Sequence, residues 1–352
     1  MTAADHPGNL ARAAAPGLLA LGILAVAAPA RAAAPEPWYH RAACHDALTE
    51  VLTGDAATAE AALRSLEHSR DADDVACAVY LRVVKADLEL AIHGDRPQRQ
   101  QQRDRALKRM FGFAKAHAKY GARFADLEID ARMRRVRVLF ERDDKTAALG
   151  EARRVNRLLD ARRRADSPTL DFARGAMYSA LGQASGVARM FLGMAGIGGD
   201  PEDGYRALRR LTGGGSVYRA EALQLARQFA ADADGPTALG DPVALGDQLV
   251  GAYPMNPQYA YDHAYLLVKR GRAARAQEVL GPHLRRLAAE PDAWAPTMRA
   301  KLHYLASRAA LKSGAVAEAR RHRDAMAGLE ANDFDARLPG LTSAVERAET
   351  AR

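Results

Sequence analysis

Apolar residues recur three and four positions apart along most of the chain, and short breaks rich in glycine, proline or aspartate separate these runs. This spacing places the apolar side chains on one face of a helix. No run alternates apolar and polar residues between turn residues, so the pattern predicts no β-strand. The predicted helices, mostly in pairs, cover residues 38–53, 56–69, 72–93, 97–119, 122–141, 145–163, 168–195, 201–212, 217–232, 241–252, 258–270, 273–289, 293–313, 315–329 and 340–350.

One segment, YPMNPQYAYDHAYLLVKRGRAARAQEVL at residues 253–280, shows two such helices folded back on each other. Pro254 and Pro257 break the chain before the first helix, because each biases the preceding residue away from the helical region. Gly271 can adopt the left-handed backbone conformation that ends a helix, and a second apolar stripe begins at Ala273. A hairpin of this size cannot bury its apolar stripes alone, so we expect similar hairpins to cover it.

Small residues recur at intervals of seven and then five positions in several of these hairpins. Small side chains let two helices approach closely, and glycine accepts the tight turn between them. A weaker copy at Leu192, Gly199 and Gly204 has leucine in the first position. The predicted packing residues are Ala47, Gly54, Ala59, Ala264, Gly271, Ala276, Ser307, Gly314 and Ala319.

This spacing resembles the tetratricopeptide repeat, which has small residues at helix-facing positions and a turn between helices. The resemblance implies an all-α fold, an α-α superhelix or solenoid of about seven irregular helical hairpins, and protein binding without catalysis. Two features depart from the family pattern. Gly281-Pro282 falls within the second helix of the best repeat, and Gly271 and Gly314 are 43 residues apart, whereas the family period is about 34.

A second resemblance covers residues 170–284. The order RGAMYSALGQASG, GIGGDPEDGYRALRRL, EALQLARQF and YPMNPQYAY is similar to the tetratricopeptide-repeat 39 group and the related inclusion-body-clearance proteins. We therefore divide the chain into amino-terminal helical hairpins at 33–165, with a first repeat-like unit near 40–70, and a repeat region at 166–352.

The amino terminus predicts export. Arg12 precedes an apolar run of eleven residues, 18–28, and small residues follow it. Such a run is too short to cross a bilayer core of about 30 Å, which favours a cleaved signal peptide over residues 1–32. Cleavage after Ala32 would deliver a periplasmic or secreted protein. An uncleaved amino-terminal anchor is the alternative.

The chain is basic, with 51 lysines and arginines against 43 acidic residues. Its arginine clusters, RMRRVRVLFER and ARRVNRLLDARRR, are interpreted as solvated helix faces. Exported proteins meet little nucleic acid, so we predict no nucleic-acid partner. Weak contact between the arginine-rich faces and an anionic lipid or envelope polymer is an alternative function.

No residue pattern indicates catalysis, a metal or a cofactor. The histidines include no metal-binding pair on one helix face, since His40 and His45 are five positions apart. The glycine-rich pieces GMAGIGGD and TGGGS lack the lysine and hydroxyl residues of a phosphate-binding loop. We therefore predict that the protein is not an enzyme and binds no cofactor or metal, with an unrecognised envelope enzyme as a further alternative.

Three tyrosines, Tyr259, Tyr261 and Tyr265, lie on a predicted first helix, and in the resembling family such helices line the concave face. They are candidate contacts for a partner, with core packing as the alternative. The predicted function is an exported, non-catalytic scaffold or adaptor that binds another protein of the cell envelope. The sequence does not fix its oligomeric state.

Cys44 and Cys77 are the only cysteines. Their separation of 33 residues is close to one repeat, which would place them on the first helices of neighbouring hairpins. In an oxidising compartment we expect them to form a disulfide. Two buried free thiols are the alternative.

Overall fold

The computed structural model describes residues 36–53, 56–94, 96–232, 237–329 and 338–350. The predicted signal peptide and Gly54 lie outside these ranges. Residues Glu36–Arg352 form one compact unit.

The described residues form sixteen α-helices, three short 3-10 helices and no β-strand, so the predicted all-α fold class is confirmed. The α-helices are α1 (Ala42–Thr53), α2 (Ala56–Glu67), α3 (Ala72–His93), α4 (Pro97–His117), α5 (Ala122–Glu141), α6 (Lys145–Ala161), α7 (Pro168–Gln183), α8 (Gly186–Met194), α9 (Pro201–Gly213), α10 (Arg219–Ala230), α11 (Pro242–Ala252), α12 (Pro257–Lys269), α13 (Ala273–Ala289), α14 (Pro296–Lys312), α15 (Val316–Asp324) and α16 (Leu338–Thr350).

Polar side chains before the first turn fix where several helices begin. The carboxylates of Asp71, Asp200 and Asp241 each accept a hydrogen bond from a backbone N–H two residues later, at 2.8–3.0 Å. The side chain of Asn256 accepts one from the N–H of Tyr259 at 3.0 Å. These bonds satisfy N–H groups that have no partner inside the helix. Proline occupies the first position of six helices, where its missing N–H costs nothing.

The helices pack in pairs, and the described residues contain seven of these; in six of them the two helices follow one another in the chain. Several neighbouring pairs also contact through their first helices, as α1 does with α3, α5 with α7 and α12 with α14. Each second helix packs in addition against the first helix of the next pair. The seven pairs are α1 with α2, α3 with α4, α5 with α6, α7 with α9, α10 with α11, α12 with α13, and α14 with α15.

In the last two pairs a glycine with positive φ follows the first helix. Gly271 has φ of +75° between α12 and α13, and Gly314 has φ of +76° between α14 and α15. At each turn the N–H after the glycine donates to a carbonyl five residues back, at 2.8 Å, which ends the helix. Within the second of these pairs the hydroxyl of Ser307 donates to the carbonyl of Ala319 at 2.7 Å. The remaining small positions, Ala47, Ala59, Ala264 and Ala276, are buried.

Helix α3 also contacts helices that are far away in sequence. It packs against α12 and α14, and the amine of Lys301 in α14 donates to the carbonyl of Ala91 at 3.0 Å. The side-chain amide of Asn256 donates to the carbonyl of Leu52, 204 residues earlier, at 2.7 Å. In an extended repeat array each unit contacts only its neighbours. Here the amino-terminal helices pack against the carboxyl-terminal part as well.

Cys44 and Cys77 form a disulfide, as predicted. The bond joins α1 to α3, with the two Cα atoms 5.8 Å apart, and both residues are buried. This separation lies within the range that a disulfide bridges without backbone movement. The two helices are the first helices of neighbouring pairs.

Glycines bring α7 and α9 together. A Cβ atom placed on Gly204 would lie 2.7 Å from the backbone nitrogen of Ser179, and one on Gly175 would lie 2.7 Å from the side chain of Leu208. The partner of α9 is therefore α7, so the weaker copy of the repeat spacing at Leu192 does not mark a pair of α8 with α9. The predicted helix 168–195 is in fact two helices, α7 and α8.

Candidate functional site

The three candidate tyrosines lie in different environments. Tyr259 is only 7% exposed, and its ring lies 6.0 Å from that of Tyr253. Burial raises the pKa of its hydroxyl. Tyr259 is therefore a core residue, which corrects its predicted role as a partner contact. Tyr261 is half-buried, and Tyr265 is 41% exposed.

Tyr261 and Tyr265 lie one turn apart on α12, and Tyr261 lies beside α14. The amine of Lys301 lies 5.6 Å from the centre of the Tyr261 ring. One turn further along α14, the guanidinium of Arg308 lies 5.7 Å from the centre of the Tyr304 ring. At these distances a cation is attracted to the face of the aromatic ring. We call this surface the tyrosine–cation strip, defined by Tyr261, Tyr265, Lys301 and Arg308; Tyr304 itself is buried.

The strip carries positive charge. Helix α14 has four cations and no acidic residue. The nearest acid on α12 is Asp262, whose carboxylate accepts hydrogen bonds from Gln224 at 2.7 Å and from Gln258 at 2.9 Å. Asp262 also lies 3.6 Å from Arg227. The strip therefore presents aromatic area beside cations, a combination that suits an acidic segment with apolar side chains.

A second polar cluster lies inside the fold. Arg134 of α5 pairs with Asp130 at 2.9 Å and with Glu221 of α10 at 2.6 Å. Tyr80 of α3 donates to Glu221 at 2.7 Å, and Tyr218 donates to Asp130 at 2.9 Å. We call these five residues the buried charge network. It joins α3, α5 and α10.

The network corrects the interpretation of RMRRVRVLFER as a solvated helix face. The side chain of Arg134 is 4% exposed and that of Asp130 is fully buried. Burial is the largest cause that raises the pKa of Asp130, and the positive charge of Arg134 opposes it. Burial also raises the pKa of the Tyr80 and Tyr218 hydroxyls well above the usual value. These hydrogen-bonded ion pairs join three helices and fix their positions.

Histidines form two close contacts. The Nδ1 atoms of His303 and His322 lie 3.1 Å apart between α14 and α15, and burial lowers the pKa of His303 to about 4. The Nε2 atom of His263 lies 2.9 Å from the carboxylate of Asp247. In the described ranges no three His, Cys, Asp or Glu side chains come together in a group that could hold a metal ion.

One exposed surface was missed in the sequence. Three of its apolar side chains, Val187, Met190 and Met194, are more than half exposed on α8. The sequence signal for it is Ser185-Gly186, since serine before a glycine marks a turn. In the structure the hydroxyl of Ser185 accepts a hydrogen bond from the N–H of Ala188 at 3.2 Å, at the start of α8. This turn ends α7 and allows the axis of α8 to take a different direction.

Among the helices in the described part of the chain, none has the length and apolar character of a membrane-spanning segment. Comparison of the chain with protein-family models, with curated proteins and with solved structures finds no match in any of the three. The tetratricopeptide-repeat resemblance therefore stays a prediction, and the function has to be argued from the surfaces.

Proposed function

We propose that this protein is an exported, non-catalytic scaffold of helical hairpins that binds a segment of another envelope protein along the tyrosine–cation strip. The observation that carries the proposal is the exposed ring of Tyr265 on α12, one turn from Tyr261, whose ring lies beside the Lys301 amine of α14. Exposed aromatic rings flanked by arginine are enriched where a few residues supply most of the binding energy.

The chemistry of the strip defines the partner. Arg308 provides a planar guanidinium for a carboxylate, and the tyrosines provide apolar area with a hydroxyl. An extended or helical segment with aspartate or glutamate beside apolar residues would satisfy both. Repeat proteins of the tetratricopeptide class, which the hairpin spacing resembles, bind partners along the first helices of their pairs, and α12 and α14 are first helices.

The Cys44–Cys77 bond supports export. Disulfides form and persist in oxidising compartments and are rare in a reducing cytosol. A signal peptide over residues 1–32 with cleavage after Ala32 would bring the chain there. Amino-terminal sequencing of the protein from the envelope fraction tests this part, and a mature chain that starts near Met1 would contradict it.

Affinity capture with matched variants tests the binding surface. The mature chain is used as bait in envelope extract, in parallel with Tyr265→Ala, Arg308→Gln and the control Tyr120→Ala. Tyr120 is another exposed tyrosine, 63% accessible, and lies on a 3-10 helix away from the strip. We expect each strip variant to weaken capture of the same partner by about 1–2 kcal/mol, roughly 5- to 30-fold, while the control leaves it unchanged.

Circular dichroism of each bait shows whether it keeps its helix content. Folded strip variants that capture the partner as well as the wild type would refute the assignment of the strip. If all baits, including the control, capture the partner equally well, the partner binds another surface of the protein.

A further inference from the structure

Helix α8 has an exposed apolar face that nothing in the described part of the chain covers. Val187, Met190 and Met194 are 64%, 57% and 69% exposed, and their spacing of three and four residues places them on one side of the helix. They account for half of the large apolar residues that are exposed in the described ranges. The side chains are concentrated on one nine-residue helix.

The other side of the same segment is held by the core. Leu192 and Ala195 pack against the apolar cluster formed by α5, α6 and α7, and Ile197 is buried in that cluster. The N–H of Ile197 donates to the carbonyl of Leu192 at 2.9 Å, which folds the segment back after α8. Core contacts therefore fix α8 at the surface of the protein with its apolar face outward.

The charge of this region is positive. Between Asp171 and Asp200 the sequence has no acidic residue and two arginines, Arg174 and Arg189. Arg189, on α8 itself, donates to the backbone carbonyls of Gly182 and Ala184, at 2.8 and 3.2 Å. These partners are uncharged, so they leave its positive charge uncompensated.

A cleft of about 540 Å³ follows α8. Gly199 lines it together with Arg163, Arg174, Arg206 and Arg210 and with the acids Asp160, Asp200 and Asp203. The Arg206 guanidinium pairs with Asp203, and Arg210 pairs with Asp171. Arg163 is exposed, and no carboxylate in the described ranges pairs with it.

We propose that α8 is an interfacial anchor that lies in the headgroup region of an anionic lipid membrane, with Val187, Met190 and Met194 inserted and Arg189 near the headgroups. Interfacial helices combine an apolar face with basic residues and gain affinity from both. At about 1.5 Å per residue α8 is about 14 Å long, too short to cross a bilayer, so it lies along the surface. The proposal is independent of the tyrosine–cation strip.

A lipid surface fits α8 better than a protein partner does. A stable protein interface buries about 800 Å² on each side and involves some 20 to 30 residues, and its centre is enriched in tyrosine, tryptophan and arginine. Helix α8 offers three flexible or small apolar side chains and no aromatic hydroxyl. Insertion into lipid needs no complementary shape, only apolar depth and opposite charge.

A single fluorescent label tests the insertion. Both native cysteines are in the disulfide, so Met190→Cys creates the only free thiol for an environment-sensitive dye. Phe140→Cys, at an apolar residue 49% exposed on α5, is the matched control. Vesicles of phosphatidylglycerol mixed with phosphatidylcholine should shift the emission of the label at position 190 to shorter wavelength and leave that at position 140 unchanged. No shift at position 190, or an equal shift at both positions, would overturn the proposal.

Co-sedimentation of the unlabelled mature chain with the same vesicles gives a second measurement. We expect the partition coefficient to fall at least tenfold in the double variant Val187→Ser with Met194→Gln, and several-fold for Arg189→Gln. Pure phosphatidylcholine vesicles should bind the wild type weakly. Equal binding to both vesicle types would refute the charge argument. If the α8 variants instead lose a captured protein while vesicle binding is absent in the wild type, α8 is a protein contact and the lipid proposal is wrong.

Discussion

Arg134 offers the sharpest test of what holds the three regions of the fold together. Replacing it with methionine keeps much of its volume and removes its charge. Asp130, which it contacts at 2.9 Å, would then be left without its cation in the interior, and Glu221 would lose a partner at 2.6 Å. Removing one member of a buried ion pair lowers the free energy of unfolding by about 3–5 kcal/mol. The remaining charge is still kept away from water, but nothing of opposite charge now compensates it. We expect a loss of that size for Arg134→Met at neutral pH.

The loss should depend on pH in a defined direction. Burial already raises the pKa of Asp130 in the folded protein. Without Arg134 the positive charge that favours the carboxylate is gone, so the pKa rises further. The folded variant then binds a proton over a pH range in which its unfolded chain does not. The stability of the variant relative to the wild type therefore rises as pH falls from 7 towards 4, and the difference between the two becomes smaller.

Urea unfolding followed by circular dichroism at pH 7.5 and pH 5 measures both effects, provided that each transition is a single cooperative step. Arg135→Met is the matched control, since Arg135 is the next residue in the same helix and is exposed. We expect it to change stability by less than about 0.5 kcal/mol. If Arg134→Met costs less than about 1 kcal/mol, or its cost is the same at both pH values, the reasoning is refuted. A more stable variant would show that desolvation of the network exceeds its attraction.

Three further predictions follow from packing, the disulfide and a buried imidazole. Replacing Cys44 and Cys77 together with serine should lower the unfolding free energy by about 3–4 kcal/mol, as loop entropy predicts for a 33-residue separation; an unchanged urea midpoint would contradict this. Burial lowers the pKa of His283 to about 4, so stability should fall by about 3 kcal/mol as pH drops from 6.5 to 4, where the unfolded chain takes up the proton first. His283→Leu should flatten that part of the stability curve, and a curve parallel to the wild type would refute the assignment. Gly204→Ala should cost about 1–3 kcal/mol, because the new Cβ would lie 2.7 Å from a backbone nitrogen of α7, whereas Gly112→Ala, with nothing within 4 Å, should gain about 0.5–1 kcal/mol in thermal or urea unfolding.

Helix positions could be predicted well because their signals are local. Proline at the first position, an aspartate or asparagine before it and glycine after the last turn act within a few residues of the helix end. The helix predicted at 258–270 is α12, Pro257–Lys269. The disulfide was predictable because the chain has only two cysteines, which the predicted hairpins place on the first helices of neighbouring pairs.

The burial of charged residues could not be predicted in this way. Arg134 and Arg135 stand side by side in RMRRVRVLFER, and nothing local distinguishes them. One is buried because Glu221, 87 residues later, lies against it. The contacts of α3 with α12 and α14 arise in the same manner. Tyr259 and Tyr265 likewise look equivalent in the sequence, yet the first is in the core and the second is exposed.

The contact between Asn256 and Leu52 has a consequence for the order in which the chain acquires its structure. The amide that caps the carbonyl of Leu52 is made 204 residues after it. At a synthesis rate of about 5–20 residues per second, that interval lasts about 10 to 40 s. During this time both cysteines have already been made, whereas the surfaces of α3 that α12 and α14 will cover stay exposed to water and to other chains. Once the chain reaches an oxidising compartment, the covalent link between Cys44 and Cys77 would hold these two helices in register until the carboxyl-terminal helices pack against them.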